Sequence, residues 1–598
     1  MKSRLLTSLL ALLLCWGCAR AQEAELSGEL KLWHKITLTF DGPATSEQAE
    51  ENPFTDYRLN VTFRQGARTV TVPGYYAADG DAGQSGADAG GKWRVHFAPD
   101  GEGSWTWTAE FRKGPMVAVS EEAGAGESAG FDGASGSFEV GASDKSGRDF
   151  RGKGWLEYTG GRYLQFAGDE SFFVKAGADA PEVFLAYKDF DGTYQHDGGD
   201  KFLKDWAPHV KDWQEGDPTW GDGKGKGIIG ALNYLASKGV NAFSFLTMNT
   251  EGDGKNVWPW TGDHEFQRFD CSKLDQWEMV FAHAQANGLY LHFKTQETEN
   301  NHLLDGGDLG DNRKLYYREL IARFGHHLAL NWNLGEENTQ STAQQKEMAA
   351  YFHRTDPYQN HIVIHTHPGR QEEIYRPLLG AASKLTGISL QTNFKQVHEL
   401  TKTWIDKSSS SGKPWVVAND EQGHFSTGVT PMASYPGMDG RPDNHDDIRQ
   451  HVLWGNLMAG GAGVEYYFGY QYPESDLTCN DLRSRDKMWD YSRYAIEFFQ
   501  NEIPFPGMLS ADDLTKRKDD FCFANPGTAY AIYLPDLSKD PGLTLQPRKA
   551  LYEVFWYNPR TGQKVQGTLK RVNGNDKKIT LGQPNYKDVD GDWVVFLK

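Results

Sequence analysis

Cysteine is scarce, with five in 598 residues. Cys15 and Cys18 fall near the N-terminus, which leaves Cys271, Cys479 and Cys522 at wide spacing. At most one disulfide can form among these three, and spacing alone does not choose it. No C-x-x-C pair is present, which argues against a thiolate metal site. Basic charge is also short: 62 Lys and Arg stand against 81 Asp and Glu, a net −19. A nucleic-acid binder would show a basic face, and this balance offers none. No apolar run outside the N-terminus approaches the ~18 residues of a membrane span. No G-x-S-x-G element supports a serine hydrolase. What is abundant is aromatic: 19 Trp, 26 Tyr and 32 Phe make up 13% of the chain. With 38% apolar residues, a large core is within reach and disorder of the whole chain is excluded.

Lys2 and Arg4 precede a mostly apolar run from Leu5 to Leu14, and Ala19-Arg20-Ala21 has the A-x-A form of a cleavage site. Residues 1–21 therefore read as a secretory signal peptide, so an exported protein, periplasmic or extracellular, is expected. The alternative is lipid attachment at Cys18, which would make an outer-membrane lipoprotein; Cys15 stands there in place of the usual leucine. Cleavage after Ala21 would leave 59 basic against 81 acidic side chains, a net −22.

Three regions follow. Residues 26–140 alternate apolar and polar over short runs such as Lys35–Phe40, Tyr57–Phe63, Trp93–Phe97 and Ser104–Thr108. Turn residues separate them, as in an antiparallel Ig-like sandwich. Residues 150–505 alternate short apolar β runs with longer helical segments. Eight candidate strands appear: 172–176, 242–246, 289–293, 328–332, 362–365, 387–390, 415–418 and 464–468. That count predicts a (β/α)8 TIM barrel with insertions, the longest spanning Tyr187–Gly227. An open doubly wound sheet is the alternative, but no Gly-rich phosphate loop follows the first strand. Residues 506–598 return to short strands, a small C-terminal β-sandwich. The fold class is thus a multidomain chain with a central barrel flanked by β domains.

Active sites of such barrels lie at the C-terminal ends of the strands. Those ends here carry Asp179 and Glu182; Asn249 and Glu251; Gln296, Glu297 and Glu299; and Glu336, Glu337 and Asn338. Beyond them come His365 and His367; Gln391 and Asn393; Asp420 and Glu421; and Tyr466, Tyr467 and Tyr470. This inventory fits glycoside hydrolysis. One carboxyl protonates the leaving oxygen, and a second attacks or stabilises an oxocarbenium-like centre. Amides and imidazoles hydrogen-bond hydroxyls. A single rim acid is usually a solvated loop residue, but Glu336-Glu337 and Glu421 directly follow strands that should be buried. His365-Thr-His367 puts two imidazoles on one strand face. Without an evident third ligand the pair reads as a sugar contact, so neither a metal nor a cofactor is expected. Asp588-Val-Asp-Gly-Asp592 lacks EF-hand spacing and reads as a solvated turn.

The ends of the fourth and seventh strands resemble the clan of retaining (β/α)8 glycoside hydrolases. Nearly the whole chain resembles a family of secreted bacterial proteins with three parts: a DUF5060 Ig-like domain, a glycosidase-like barrel, and a C-terminal domain named for collagen binding. Lys31–Leu38, Asn52-Pro-Phe54 and Gly103–Trp107 carry the first likeness, Phe173–Asp179 the second, and Trp556–Gly562 with Asp592–Val595 the third. The resemblance implies a plant or algal polysaccharide or oligosaccharide as substrate. It implies Glu337 as acid/base and Glu421 as nucleophile, with Glu336 and Asp420 as alternatives. Asp179, Glu297, Asn338, His365, His367, Asn393 and Tyr467 would shape the sugar site. Two departures stand out. Glu336 occupies the place of the usual Asn, and the usual count after Lys413-Pro414 lands on Asn419, so a small β-bulge is needed to bring Glu421 into position. The rival readings are a non-catalytic carbohydrate- or matrix-binding protein on a degenerate barrel, and a polysaccharide lyase.

Overall fold

A computed structural model describes residues 24–598 except 123, 538–540, 548, 550 and 588. The expected signal peptide and Cys18 lie outside the described residues. Among those described, no helix is long and apolar enough to cross a membrane. Cys271, Cys479 and Cys522 are buried and unpaired.

The first region forms two antiparallel sheets. Strand Gly103–Lys113 shows why: alternate residues, among them Trp105, Trp107 and Phe111, turn inward while Thr106 and Thr108 face out. Aromatic rings fill the space between the sheets, with Phe63 stacked on Phe97 at 4.0 Å and Phe40 on Phe131 at 4.4 Å.

The central region is a nearly closed parallel barrel of eight strands. These are β1 (Lys175–Ala178), β2 (Ala242–Leu246), β3 (Tyr290–Lys294), β4 (Leu330–Asn333), β5 (His361–Val363), β6 (Gly387–Thr392), β7 (Val416–Gln422) and β8 (Gly463–Tyr466). Pairing runs 5-4-3-2-1-8-7-6. The remaining seam, β5 to β6, is joined by a bridge between His365 and Ser389 and by the Thr386 N–H donating to the Ile362 carbonyl. Helices α1 (Lys226–Ser237), α2 (Cys271–Ala286), α3 (Asp311–Phe324), α4 (Thr342–Thr355), α5 (Val397–Ser410) and α6 (Asp486–Asn501) surround it. Two of them begin at side-chain caps that the sequence supplies. Asp270 accepts from the Lys273 N–H at the start of α2, and Ser341 with Gln344 forms a reciprocal cap on α4.

Outward strand residues are apolar and meet the helices: Phe245 stacks on Phe281 of α2 at 4.8 Å, and Phe293 on Phe324 of α3 at 5.8 Å. Inward residues are polar and form two layers, because residues two apart share a face. Lys175, His292, Asp420 and Glu465 make the lower layer. Asp179, Lys294, Glu336, His365 and Glu421 make the upper one, at the C-terminal strand ends.

Both β regions dock on the barrel. Arg323 of α3 lies over the Tyr75 ring at 4.1 Å and donates to the Tyr76 carbonyl at 2.9 Å. The C-terminal region is a six-stranded antiparallel sheet with a two-stranded companion. Asp592, expected in a solvated turn, is fully buried instead. The Arg449 guanidinium, also buried, donates to both its oxygens at 2.8 and 2.9 Å, and the Tyr533 hydroxyl adds a third bond. This ion pair fastens the last sheet to the barrel. An Asp592→Asn variant leaves the buried guanidinium with only the exposed carboxylate of Asp446, 2.6 Å away, as its charge partner, and should lose about 2 kcal/mol of stability, since the amide still accepts a hydrogen bond. Chemical denaturation measures it; an unchanged midpoint would show that the pair adds nothing.

Candidate active site

The upper layer is built on Lys294, the last residue of β3. Its ammonium lies 2.7 Å from Asp179 and 3.2 Å from Glu182, and also contacts Glu336. Burial lowers the pKa of a lysine, but the three carboxylates outweigh it and hold Lys294 well above its usual value. Glu336 is nearly as buried, between Lys294 and His365, whose Nδ1 is 2.5 Å away. Burial raises its pKa, yet His365 and Lys294 prevail and keep Glu336 ionised, well below the ordinary range.

Glu337 differs in every respect. It follows Glu336 in a backbone with φ 43°, a left-handed conformation rare outside glycine. That twist turns its side chain away from Glu336 into the groove, where it keeps 27% exposure. One oxygen accepts from the Gln391 amide at 2.9 Å, and the other is 2.9 Å from His367 Nδ1. The strain therefore presents a held but reachable carboxyl.

Glu421 arrives from β7 by a bulge. Leu390 pairs with Asn419 but Gln391 pairs with Glu421, so Asp420 is the extra residue. The bulge lets two consecutive acids face inward at different heights. Asp420 drops to the lower layer, 2.5 Å from Lys175, while Glu421 stays level with Gln391 and lies 3.5 Å from His365 Nε2. Burial lifts the Glu421 pKa well above the ordinary range, and the charges of Glu336, Glu337 and Asp179 lift it further. In the lower layer, burial raises Glu465, but Lys175 and His292 bring it down to about 2.

The other expected contacts divide. Asp179 accepts from the Ser244 hydroxyl at 2.6 Å and is fully buried beneath the groove. Glu297 lies in the wall. Tyr467 is near Glu421, but its hydroxyl donates to the Phe425 carbonyl at 2.9 Å. Asn338 is fully buried, its amide donating to Leu334 and Gln340 within the β4 loop. Asn393 is exposed and caps a short turn through the Lys395 N–H. Sequence reasoning passed over Lys294, Lys175 and His292. The signal available was a lysine and a histidine two apart at the end of an otherwise apolar strand.

Glu336, His365 and Glu421 bring donor atoms within 4.8 Å of one another, a spacing a metal ion could use. The Lys294 ammonium already supplies positive charge beside Glu336, which weakens the fit of a second cation there.

The comparisons agree with this architecture. Residues 29–112 match the family described as a domain of unknown function, DUF5060. Two solved structures from Bacteroides vulgatus ATCC 8482 share the fold. One, provisionally described as a glycoside hydrolase, is 14% identical with a TM-score of 0.62 and covers 96% of this chain and 100% of its own. The other, a glycoside hydrolase of family 5, is 12% identical with a TM-score of 0.53 and covers 76% and 95%. No curated protein matches the sequence. The chain therefore has a glycosidase-like fold with a DUF5060 segment at its N-terminal end.

Proposed function

We propose that the protein is a glycoside hydrolase that cleaves a polysaccharide or oligosaccharide with Glu337 as general acid/base and Glu421 as nucleophile, retaining the anomeric configuration. The supporting observation is the division of labour among the strand-end carboxylates. Glu336 is locked between Lys294 and His365 and cannot reach a leaving group, whereas Glu337 is exposed to the groove and held by Gln391 and His367. Asp420 is taken by Lys175 in the layer below. Glu337 and Glu421 remain, on the two strands where retaining enzymes of this fold carry their pair.

Glu337 donates its proton to the glycosidic oxygen as Glu421 attacks the anomeric carbon. The C–O bond breaks, a glycosyl ester forms on Glu421, and the sugar leaves carrying the proton. Water then attacks the anomeric carbon, its bond to Glu421 breaks as Glu337 takes the water proton, and Glu421 is released as carboxylate. Glu421 must be ionised at the start. Since its pKa is raised, activity falls on the acid side at a higher pH than an ordinary glutamate would set. Glu336→Gln removes one of the charges that raise it, so the acid limb of kcat/KM should move to lower pH. A limb that stays in place or moves upward contradicts the assignment. A polysaccharide panel with reducing-end detection and NMR of the first-formed anomer tests the whole reading. Unsaturated products would mean a lyase, and binding without turnover a degenerate barrel.

A further inference from the structure

The wall beside Glu337 holds acids that no Lys or Arg pairs with among the described residues, although His264 lies 3.2 Å from Glu251 and His367 acts on Glu299. After β2 the chain turns back through Glu251-Gly252-Asp253-Gly254, and the loop after β3 brings Glu297 and Glu299 against that turn. Gly252, at φ 91°, leaves room for both: a Cβ there would lie 2.7 Å from Glu299 Oε2 and 3.0 Å from Glu297 Oε2. Asp253 completes the group and accepts from the Tyr470 hydroxyl. Among the described residues, no Lys or Arg forms an ion pair with Asp253, Glu297 or Glu299.

A second observation concerns unmade hydrogen bonds. Glu297 is only 7% exposed, yet its Oε2 has no partner, and neither does the buried Oε1 of Gln391, whose amide holds Glu337. The Gln391 Oε1 is an acceptor, and the Glu297 Oε2 is one whenever that carboxyl is ionised. Buried acceptors without donors are costly, so a ligand that brings donors is favoured here. A neutral sugar hydroxyl brings one donor and no charge. An ammonium brings three donors and offsets the carboxylates. The side chains already crowd one another: burial raises the pKa of Glu297, followed by the fields of Glu299 and Asp253. Glu299 also feels Glu337, and the Glu336 N–H donating to the Gln296 carbonyl at 2.7 Å ties the residue before Glu297 to the segment that carries the acid/base.

We propose that Asp253, Glu297 and Glu299 form a subsite for the ammonium of an amino sugar, placed next to Glu337, so that the substrate is a glycan with unacetylated amino groups. This rests on the hydrolase reading for its place beside the cleavage point. The chain's net −19 agrees with it, because a like-signed field around a groove draws cationic polymers in.

Calorimetric titration tests it with three oligosaccharides of one length: glucosamine, N-acetylglucosamine and glucose. Each is assayed for turnover beside the titration. The glucosamine oligomer should bind about tenfold tighter or better than the others, the worth of one charge-assisted hydrogen bond. Added salt should reduce that margin. A Glu297→Gln/Glu299→Gln double variant, with melting temperature checked, should erase it. Equal affinities, a preference that survives the double variant, or calcium chloride binding at these residues in place of the amino sugar would overturn the subsite. Turnover of a neutral glycan without any amino-sugar preference sinks the subsite and leaves the hydrolase standing. Amino-sugar binding lost in the double variant, with no glycan cleaved, sinks the hydrolase and leaves the subsite.

Discussion

Glu337→Gln and Glu421→Gln should each lower kcat on a cleaved glycan by on the order of 10³-fold or more, with folding intact. Glutamine keeps the shape of both side chains, and the Glu337 amide can still be held beside Gln391 and His367. What is lost is chemical. Without a proton at position 337 the departing sugar leaves as an alkoxide, so the loss should be large for natural glycosides and small for activated aryl glycosides with good leaving groups. Without a carboxylate at 421 no ester forms, so the loss should persist for both. Azide separates the two further. In the Glu337 variant it should attack the ester and give a glycosyl azide of retained configuration. In the Glu421 variant it should attack directly and give the inverted one. Glu336→Gln should behave differently, moving the pH profile and stability before it abolishes turnover. A Glu337 variant within about tenfold of the parent on natural glycosides, with Glu336→Gln inactive on them but spared on activated substrates, would exchange the two roles.

Part of this was legible in the chain. The alternation of short apolar runs with helical segments placed all eight barrel strands within a few residues, because outward strand faces must be apolar to meet the helices. Strand β2 matches its expected limits, Ala242–Leu246. Strand ends were less visible. β3 runs one residue past Phe293 to Lys294, and β7 runs past Ala418 to Gln422. In both cases the polar end includes residues that face the barrel interior, Lys294 in β3 and Asp420 with Glu421 in β7, where a hydrophobic pattern reads them as loop. The bulge at Asp420 was anticipated from a count that landed on Asn419. Which of two adjacent acids is reachable was not legible. That depends on the φ of Glu337 and on a lysine from another strand, and neither leaves a mark in local sequence. Asp592 shows the same limit: its Asp-Gly neighbourhood reads as a solvated turn, yet Arg449, 143 positions away, buries it.

Lys294→Met should be the most damaging single change outside the reacting pair. The methionine fills similar volume but leaves Asp179, Glu182 and Glu336 without their shared cation in a buried layer. Removing one partner from a buried ionic group costs about 3–5 kcal/mol. The loss should depend on pH in a definite direction. Asp179 and Glu182 already have raised pKa values, from burial first and from Glu336 as well, although Lys294 restrains them. Without the lysine they rise further, and Glu336 rises with them. Between the ordinary carboxylate pKa and these raised values, the folded state binds more protons than the unfolded chain. Stability therefore falls as pH increases through that window. The deficit of the variant should be larger at about pH 8 than at about pH 5, as read by melting midpoints of variant and parent at both. A deficit that is constant, or larger in acid, would mean that Lys294 acts through packing and not through charge. Activity should follow the same line. With Glu336 protonated and no ammonium beneath it, the field that sets Glu421 is changed, and kcat should drop even where the fold survives.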